Sequence, residues 1–149
     1  GLVARYRHHF LAQDENIPLF EGARETIAEL HNAGYRLGVA TGKSSAGLSR
    51  AMESSGMKGF FHATRTADQT FSKPDPAMLF ELMEELEVSA GRTLLVGDTT
   101  HDVQMAQNAK VDVVALGHGA HPPEQLQELN PLALVGDFAE LRVWLKAHA

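Results

Sequence analysis

Residues 94–96, Leu-Leu-Val, run into Gly97, and two aspartates four apart, Asp98 and Asp102, follow at once. An apolar strand, a tight turn and a polar helix start in that order put both carboxylates at the carboxyl end of a buried strand. Open α/β sheets bind their ligands there. Asp102 falls in the first helical turn, where the helix dipole favours a negative charge. Carboxylates so placed suit a hard cation such as Mg²⁺, which a few oxygens hold and phosphate usually shares. Taken alone, the same residues also read as a helix cap with no ligand.

The rest of the chain repeats the alternation. Leu2, Val3, Tyr6 and Phe10 recur at helical spacing and predict an amphipathic helix over residues 2–13. Asp14 to Asn16 and Pro18 give a connector to about Phe20. Ala23, Ile27 and Leu30 mark a second helix, closed by Gly34 in the left-handed position that follows many helices. A strand over 35–40 ends at Thr41-Gly42-Lys43-Ser44-Ser45, and Leu48, Ala51 and Met52 carry a helix stopped near Gly56. Residues 60–66 read as a strand. Asp75-Pro76 opens a helix whose apolar face is Leu79, Leu82, Met83 and Leu86. After the 94–102 stretch come a strand over 111–116, a short helix, a strand at 133–135 and a last helix with a capping-box start in Asp137 and Glu140. Strand and helix alternating in this way imply a Rossmann-like α/β fold, a parallel sheet with helices on both faces.

Composition narrows the function classes. At 149 residues, 44% hydrophobic and 21% charged, the chain reads as a single globular domain. A net charge of −6 without a basic block argues against a nucleic-acid surface. Cysteine is absent, which excludes disulfides, thiolate nucleophiles and Cys-ligated zinc and is compatible with a cytoplasmic protein. No apolar run approaches the roughly 20 residues of a membrane span. The chain opens abruptly within a helical pattern and without an initiator methionine, so its beginning is expected to be missing.

Three polar stretches follow three apolar strands: Thr41-Gly42-Lys43, Ser72-Lys73-Pro74-Asp75-Pro76, and Gly97 to Asp102. Parallel strands bring such loops to one edge of a sheet. Together they offer a hydroxyl with backbone amides, a lysine and a pair of carboxylates, the set that a phosphoryl group requires. In this order and spacing, from about Leu19 to Trp144, the chain resembles the haloacid dehalogenase-like hydrolases, and within them the phosphoglycolate phosphatase-like group. The resemblance implies that the Thr41 hydroxyl and the Gly42 amide hold phosphate, that Lys73 steadies phosphate and nucleophile, and that Asp98 is a Mg²⁺ ligand. Asp102 is expected to support the metal shell or its waters.

One departure outweighs the matches. Such hydrolases carry an Asp-x-Asp motif at the end of their first strand, and its first aspartate is the nucleophile. The aspartates here are 14, 68, 75, 98, 102, 112 and 137, and none is followed two positions later by another. Nucleophile, general acid/base and one metal carboxylate are therefore absent, and the central first strand and most of the cap are expected to be missing with them. Residues 1–17 then read as the last cap helix and its linker, and residues 18–149 as the core from the second motif onward. A gap in the sheet would leave unpaired edges, so the chain is expected to rearrange, swap or self-associate. A second, smaller departure is Lys110 in place of a helix-ending glycine, which would cost about 1 kcal/mol in a left-handed turn and suggests a turn built differently.

Other candidates weigh less. His118 and His121 stand on a loop after a strand with no third ligand at helical spacing, and read first as polar loop residues. His8 and His9 read as a solvated helix face. Lys43 beside the phosphate turn could add charge. The expectation for the complete protein is a Mg²⁺-dependent phosphomonoester hydrolase acting on a small phosphorylated metabolite. For these 149 residues the competing expectation is a noncatalytic module that binds phosphate or protein.

Overall fold

The computed structural model describes residues 8–13, 22–56, 58–66, 68–71, 74–117 and 122–148. Six strands form one parallel sheet: β1 (His8–Gln13), β2 (Arg36–Thr41), β3 (Ala63–Thr66), β4 (Thr93–Gly97), β5 (Asp112–Leu116) and β6 (Ala133–Val135). Their spatial order is β3-β2-β1-β4-β5-β6. The helices between and after them are α1 (Ala23–Asn32), α2 (Ser45–Ser55), α3 (Ala77–Leu86), α4 (Thr100–Asn108), α5 (Pro123–Glu128) and α6 (Phe138–His148). The doubly wound α/β architecture read from the sequence is the one observed.

Side chains alternate across the pleat, and the two cores follow that period of two. Leu37 and Val39 of β2, Leu94 and Val96 of β4, and Val114 and Leu116 of β5 face one way, onto Ile27 of α1, Leu48 and Met52 of α2, and Phe138, Leu141 and Leu145 of α6. Ala40, Leu95, Val113 and Ala115 face the other way, onto Leu79, Leu82 and Leu86 of α3, Val103 and Ala106 of α4, and Leu126 of α5. Burying the sheet on both faces is what makes its strands near-continuously apolar.

The middle of the sheet differs from the expectation. The helical spacing of residues 2–13 predicts a helix there and an empty central position, yet His8–Gln13 is a strand and fills that position. It pairs in parallel with β2, His8 opposite Arg36 through Gln13 opposite Thr41, and with β4, His8 opposite Thr93 through Leu11 opposite Val96. Backbone demand explains the outcome. Without a strand between them, β2 and β4 would each leave a row of peptide groups unsatisfied inside the protein. His and Phe are also weak helix formers, so two ladders outweigh a marginal local preference. The Asp-x-Asp strand is absent from this chain, but its absence leaves no gap, and the outer edges of the sheet are β3 and β6. Residues 2–7 lie outside the described part.

Turns behave more simply. Gly34 and Gly56 have φ of 91° and 72° after α1 and α2, as helix-ending glycines should. Lys110 also sits at φ 62°, so the turn after α4 keeps the left-handed form despite its side chain. The Val111 N–H closes it on the Ala106 carbonyl at 2.9 Å. Residues 60–66 shorten to a 3₁₀ turn at Lys58–Phe60 and the strand β3. α3 begins at Ala77, whose N–H is held by Asp75 Oδ1 at 2.9 Å.

Candidate phosphate- and metal-binding site

The strand order reverses between β1 and β4, and a crevice opens beyond the carboxyl ends of strands at such a switch point. β4 ends at Gly97, so Asp98 is the first residue beyond it. Continuing the β1–β4 register by two residues sets Asp98 level with Gln13, which is itself opposite Thr41. Thr41 and Asp98 thus flank the end of the central strand, two strand spacings or about 10 Å apart along the sheet. Buried polar side chains gather at this edge. Thr41, Asp98 and Asp102 are wholly inaccessible and Thr66, at the end of β3, is 1% exposed.

The turn after β4 is locked by its own helix. Asp102 Oδ2 accepts the backbone N–H groups of Asp98 and Thr99, each at 3.1 Å. Thr99 Oγ1 accepts the Asp102 N–H at 3.1 Å, completing a capping box at the start of α4. Only glycine fits before it: a Cβ on Gly97 would stand 2.5 Å from the Asp102 Cβ and 2.8 Å from its Cγ. Asp102 is therefore a helix-start carboxylate, as its spacing foretold, whose visible task is to orient the peptide that carries Asp98.

The turn after β2 is built differently. The Lys43 N–H donates to Thr41 Oγ1 at 3.2 Å, which leaves the hydroxyl proton to donate. A Cβ at Gly42 would meet nothing within 4 Å, so its backbone faces open space. Ser44 caps α2, its Oγ accepting the Gly47 N–H at 3.1 Å. Asp68, from the loop after β3, accepts the Ser45 N–H at 3.0 Å, the Ser45 hydroxyl at 3.0 Å and the Thr66 hydroxyl. These bonds, Thr66 first, hold the Asp68 carboxyl below the usual carboxylate range.

Of the site residues expected from sequence, the fold brings Thr41, Gly42, Asp98 and Asp102 to one edge. Lys43 lies there too, half-buried. Lys73, His118 and His121 lie outside the described residues. Asp68 and Thr66 join the edge as well, and nothing local in the sequence ties them to Ser45. Among the described residues no group of three or more His, Cys, Asp or Glu side chains is placed to hold a metal ion. The donor set nonetheless fits a hard cation in part. Asp98 offers a buried carboxylate, and Mg²⁺ needs only one or two carboxylates when phosphate and water complete its shell. A cleft between α1 and α6, lined by Leu30, Tyr35, Arg142 and Leu145, includes none of these residues.

A parallel sheet with a hydroxyl, exposed backbone and a buried carboxylate at its switch point defines an open, doubly wound α/β protein. The chain belongs to the haloacid dehalogenase-like hydrolases, whose sequence pattern matches residues 2–116. It is 34% identical over 139 residues to "Probable phosphatase IndB" of Dickeya dadantii, covering 93% of this chain and 60% of that one. It is 33% identical over 145 residues to a phosphoglycolate phosphatase of Rhodospirillum rubrum, covering 96% and 60% respectively. A crystal structure of YfnB from Bacillus subtilis, a haloacid dehalogenase-type protein bound to magnesium, superposes with a TM-score of 0.74 at 26% identity, covering 84% of this chain and 55% of that one. The chain thus spans about three fifths of the length of these curated relatives.

Proposed function

We propose that the complete protein is a Mg²⁺-dependent phosphomonoester hydrolase of the phosphoglycolate phosphatase type, cytoplasmic, with a small phosphorylated metabolite as substrate. The observation that carries this reading is the placement of Thr41 and Asp98 on either side of the central strand's carboxyl end. The Thr41 hydroxyl and the Gly42 amide would hold the phosphate oxygens and Lys73 would offset their charge. Asp98 would be one ligand of the metal, which supplies electrostatic stabilisation to the transferring phosphoryl group. Asp102 would act on that ligand through the two amides it holds. The names of the relatives from R. rubrum and B. subtilis support phosphatase chemistry and magnesium in that order. By family resemblance the nucleophile is an aspartate outside these 149 residues, and an aspartyl-phosphate forms and is then hydrolysed, splitting one hard displacement into two.

For the 149 residues by themselves, a noncatalytic reading is favoured by one observation. The central strand ends in Gln13, level with Thr41, and a glutamine amide is no nucleophile. The chain would keep the phosphate cradle without turnover, with no nucleic-acid or membrane partner. No helix among the described residues is long and apolar enough to cross a membrane. Self-association would use the outer edges β3 and β6.

The test is hydrolysis of a simple aryl phosphate with Mg²⁺. The complete protein should turn over, and Asp98→Asn with Lys73→Ala should abolish it. Undiminished activity in that double variant refutes the assignment. The 149-residue chain should show none, and Asp98-dependent hydrolysis by it would overturn the noncatalytic reading.

A further inference from the structure

Thr41 is followed by a three-residue turn, 42–44, and then by α2. The front of that turn is fixed from within by the Lys43 N–H on Thr41 Oγ1. Its rear is fixed from outside, by Asp68 across from β3. The Asp68 carboxylate takes both the N–H and the hydroxyl of Ser45, the first residue of α2, and also the hydroxyl of Thr66. The Ser45 hydroxyl lies 3.0 Å from the Thr66 hydroxyl, so the three side chains form a closed knot. The loop that brings Asp68 there is itself tied back, Gln69 Oε1 accepting the Thr66 N–H at 2.9 Å.

We infer that Asp68 is a positioning residue for the phosphate-binding turn: it clamps Ser45 to the end of β3 and so sets where Thr41 and Gly42 present their donors. Two consequences follow from the same contacts. The rear of the turn is tied to the sheet, because the clamp is anchored on Thr66 at the end of β3. An anion also cannot settle on the first amide of α2, because a carboxylate already occupies it, and phosphate is directed to Gly42. This rests on the reading of Thr41 and Gly42 as phosphate ligands.

The electrostatic alternative has the opposite sign, which makes the test sharp. An exposed carboxylate beside an anion site repels the anion, so removing it should tighten binding if charge is all that matters. If Asp68 positions the turn, removing it should weaken binding. The experiment titrates the 149-residue chain with inorganic phosphate, following the backbone amide signals of Gly42 and Ser45 by NMR. Asp68→Ala should raise the phosphate Kd by about tenfold, the scale of one lost charge-assisted hydrogen bond, and Ser45 should lose its protection from hydrogen exchange. Asp68→Asn, which keeps an acceptor oxygen for Ser45, should recover part of both. Ser45→Ala, which keeps the backbone bond and loses only the hydroxyl, should fall between Asp68→Ala and the wild type. Unchanged or tighter phosphate binding in Asp68→Ala, with Gly42 still responding, overturns the role of Asp68 alone. A wild-type Gly42 signal that ignores phosphate overturns the reading of the cradle, and the positioning role with it.

Discussion

Two turns meet at the carboxyl edge of the sheet, and they are held in opposite ways. After β4, Asp102 closes on the amides of Asp98 and Thr99, partners four and three residues away, with both aspartates buried. After β2, the last fixing bond comes from Asp68, 23 residues beyond Ser45 and exposed. The first turn is local and dry, so its geometry is set as soon as α4 forms. The second depends on β3 docking beside β2, and its hydrogen bonds compete with water. The first kind of support suits the metal-ligand role proposed for Asp98, because Mg²⁺ demands near-ideal geometry. The second suits the cradle proposed at Thr41 and Gly42, because a phosphate offers several oxygens to its donors.

The contrast can be broken most forcefully at Gly97. Gly97→Ala drives a methyl group into the base of the Asp102 side chain, whose far end is anchored on two amides. Overpacking of that kind costs about 1–3 kcal/mol, and the upper end is expected here. A urea-unfolding midpoint equal to wild type would show that Asp102 can yield without loosening the turn. Asp102→Ala should come next, at about 2 kcal/mol by the same measurement, since it leaves two amide donors without their acceptor in a dry site. Asp102→Asn should cost less, because one oxygen can still accept.

Ser44→Ala tests the other turn. Loss of an N-cap side chain costs about 1 kcal/mol, and this cap is exposed. A loss as large as that of Asp102→Ala would abolish the distinction between the two turns. The smallest effect is expected from acid. Asp68 and Glu81, the latter held chiefly by the Thr70 hydroxyl, have carboxyls lowered in the folded state. A lowered folded-state value means stabilisation present above the unfolded carboxylate range and lost as pH falls through the folded value. The thermal midpoint of wild type should therefore exceed that of Asp68→Asn at neutral pH, and the difference should narrow as pH falls out of the ordinary carboxylate range and close below the lowered folded value. A difference that persists there would assign the effect to something other than the carboxylate.

The same contrast accounts for what could be read from sequence. Asp98 and Asp102 were legible because every partner in their turn lies within a few residues: an apolar run, a glycine and a helix start fix the geometry together. Thr41 was legible as the end of a buried strand. Asp68 was not, since its partners are set by which strands lie side by side. The central strand escaped for a related reason. Phe10 and its neighbours carry a helical spacing, and only the vacancy between β2 and β4 makes the extended form of His8–Gln13 the better solution. Periodicity describes what a segment prefers alone, and a parallel sheet imposes preferences from outside. At Lys110 tertiary context again prevailed, holding a lysine in a conformation that glycine adopts without strain.

The position of β1 has a bearing on how this protein is made. Its two neighbours are β2 and β4, and the second of them, residues 93–96 opposite residues 8–11, leaves the ribosome long after the first. Of the described strands, β1 therefore waits longest between its own synthesis and its full set of partners, while β2, α2 and α3 emerge around it. Synthesis at about 5–20 residues per second makes that wait several seconds, during which one long edge of the sheet stands open to other chains. A chaperone that shields the nascent segment carrying β1 until α4 has emerged should raise the yield of folded protein, and one added after release should do little.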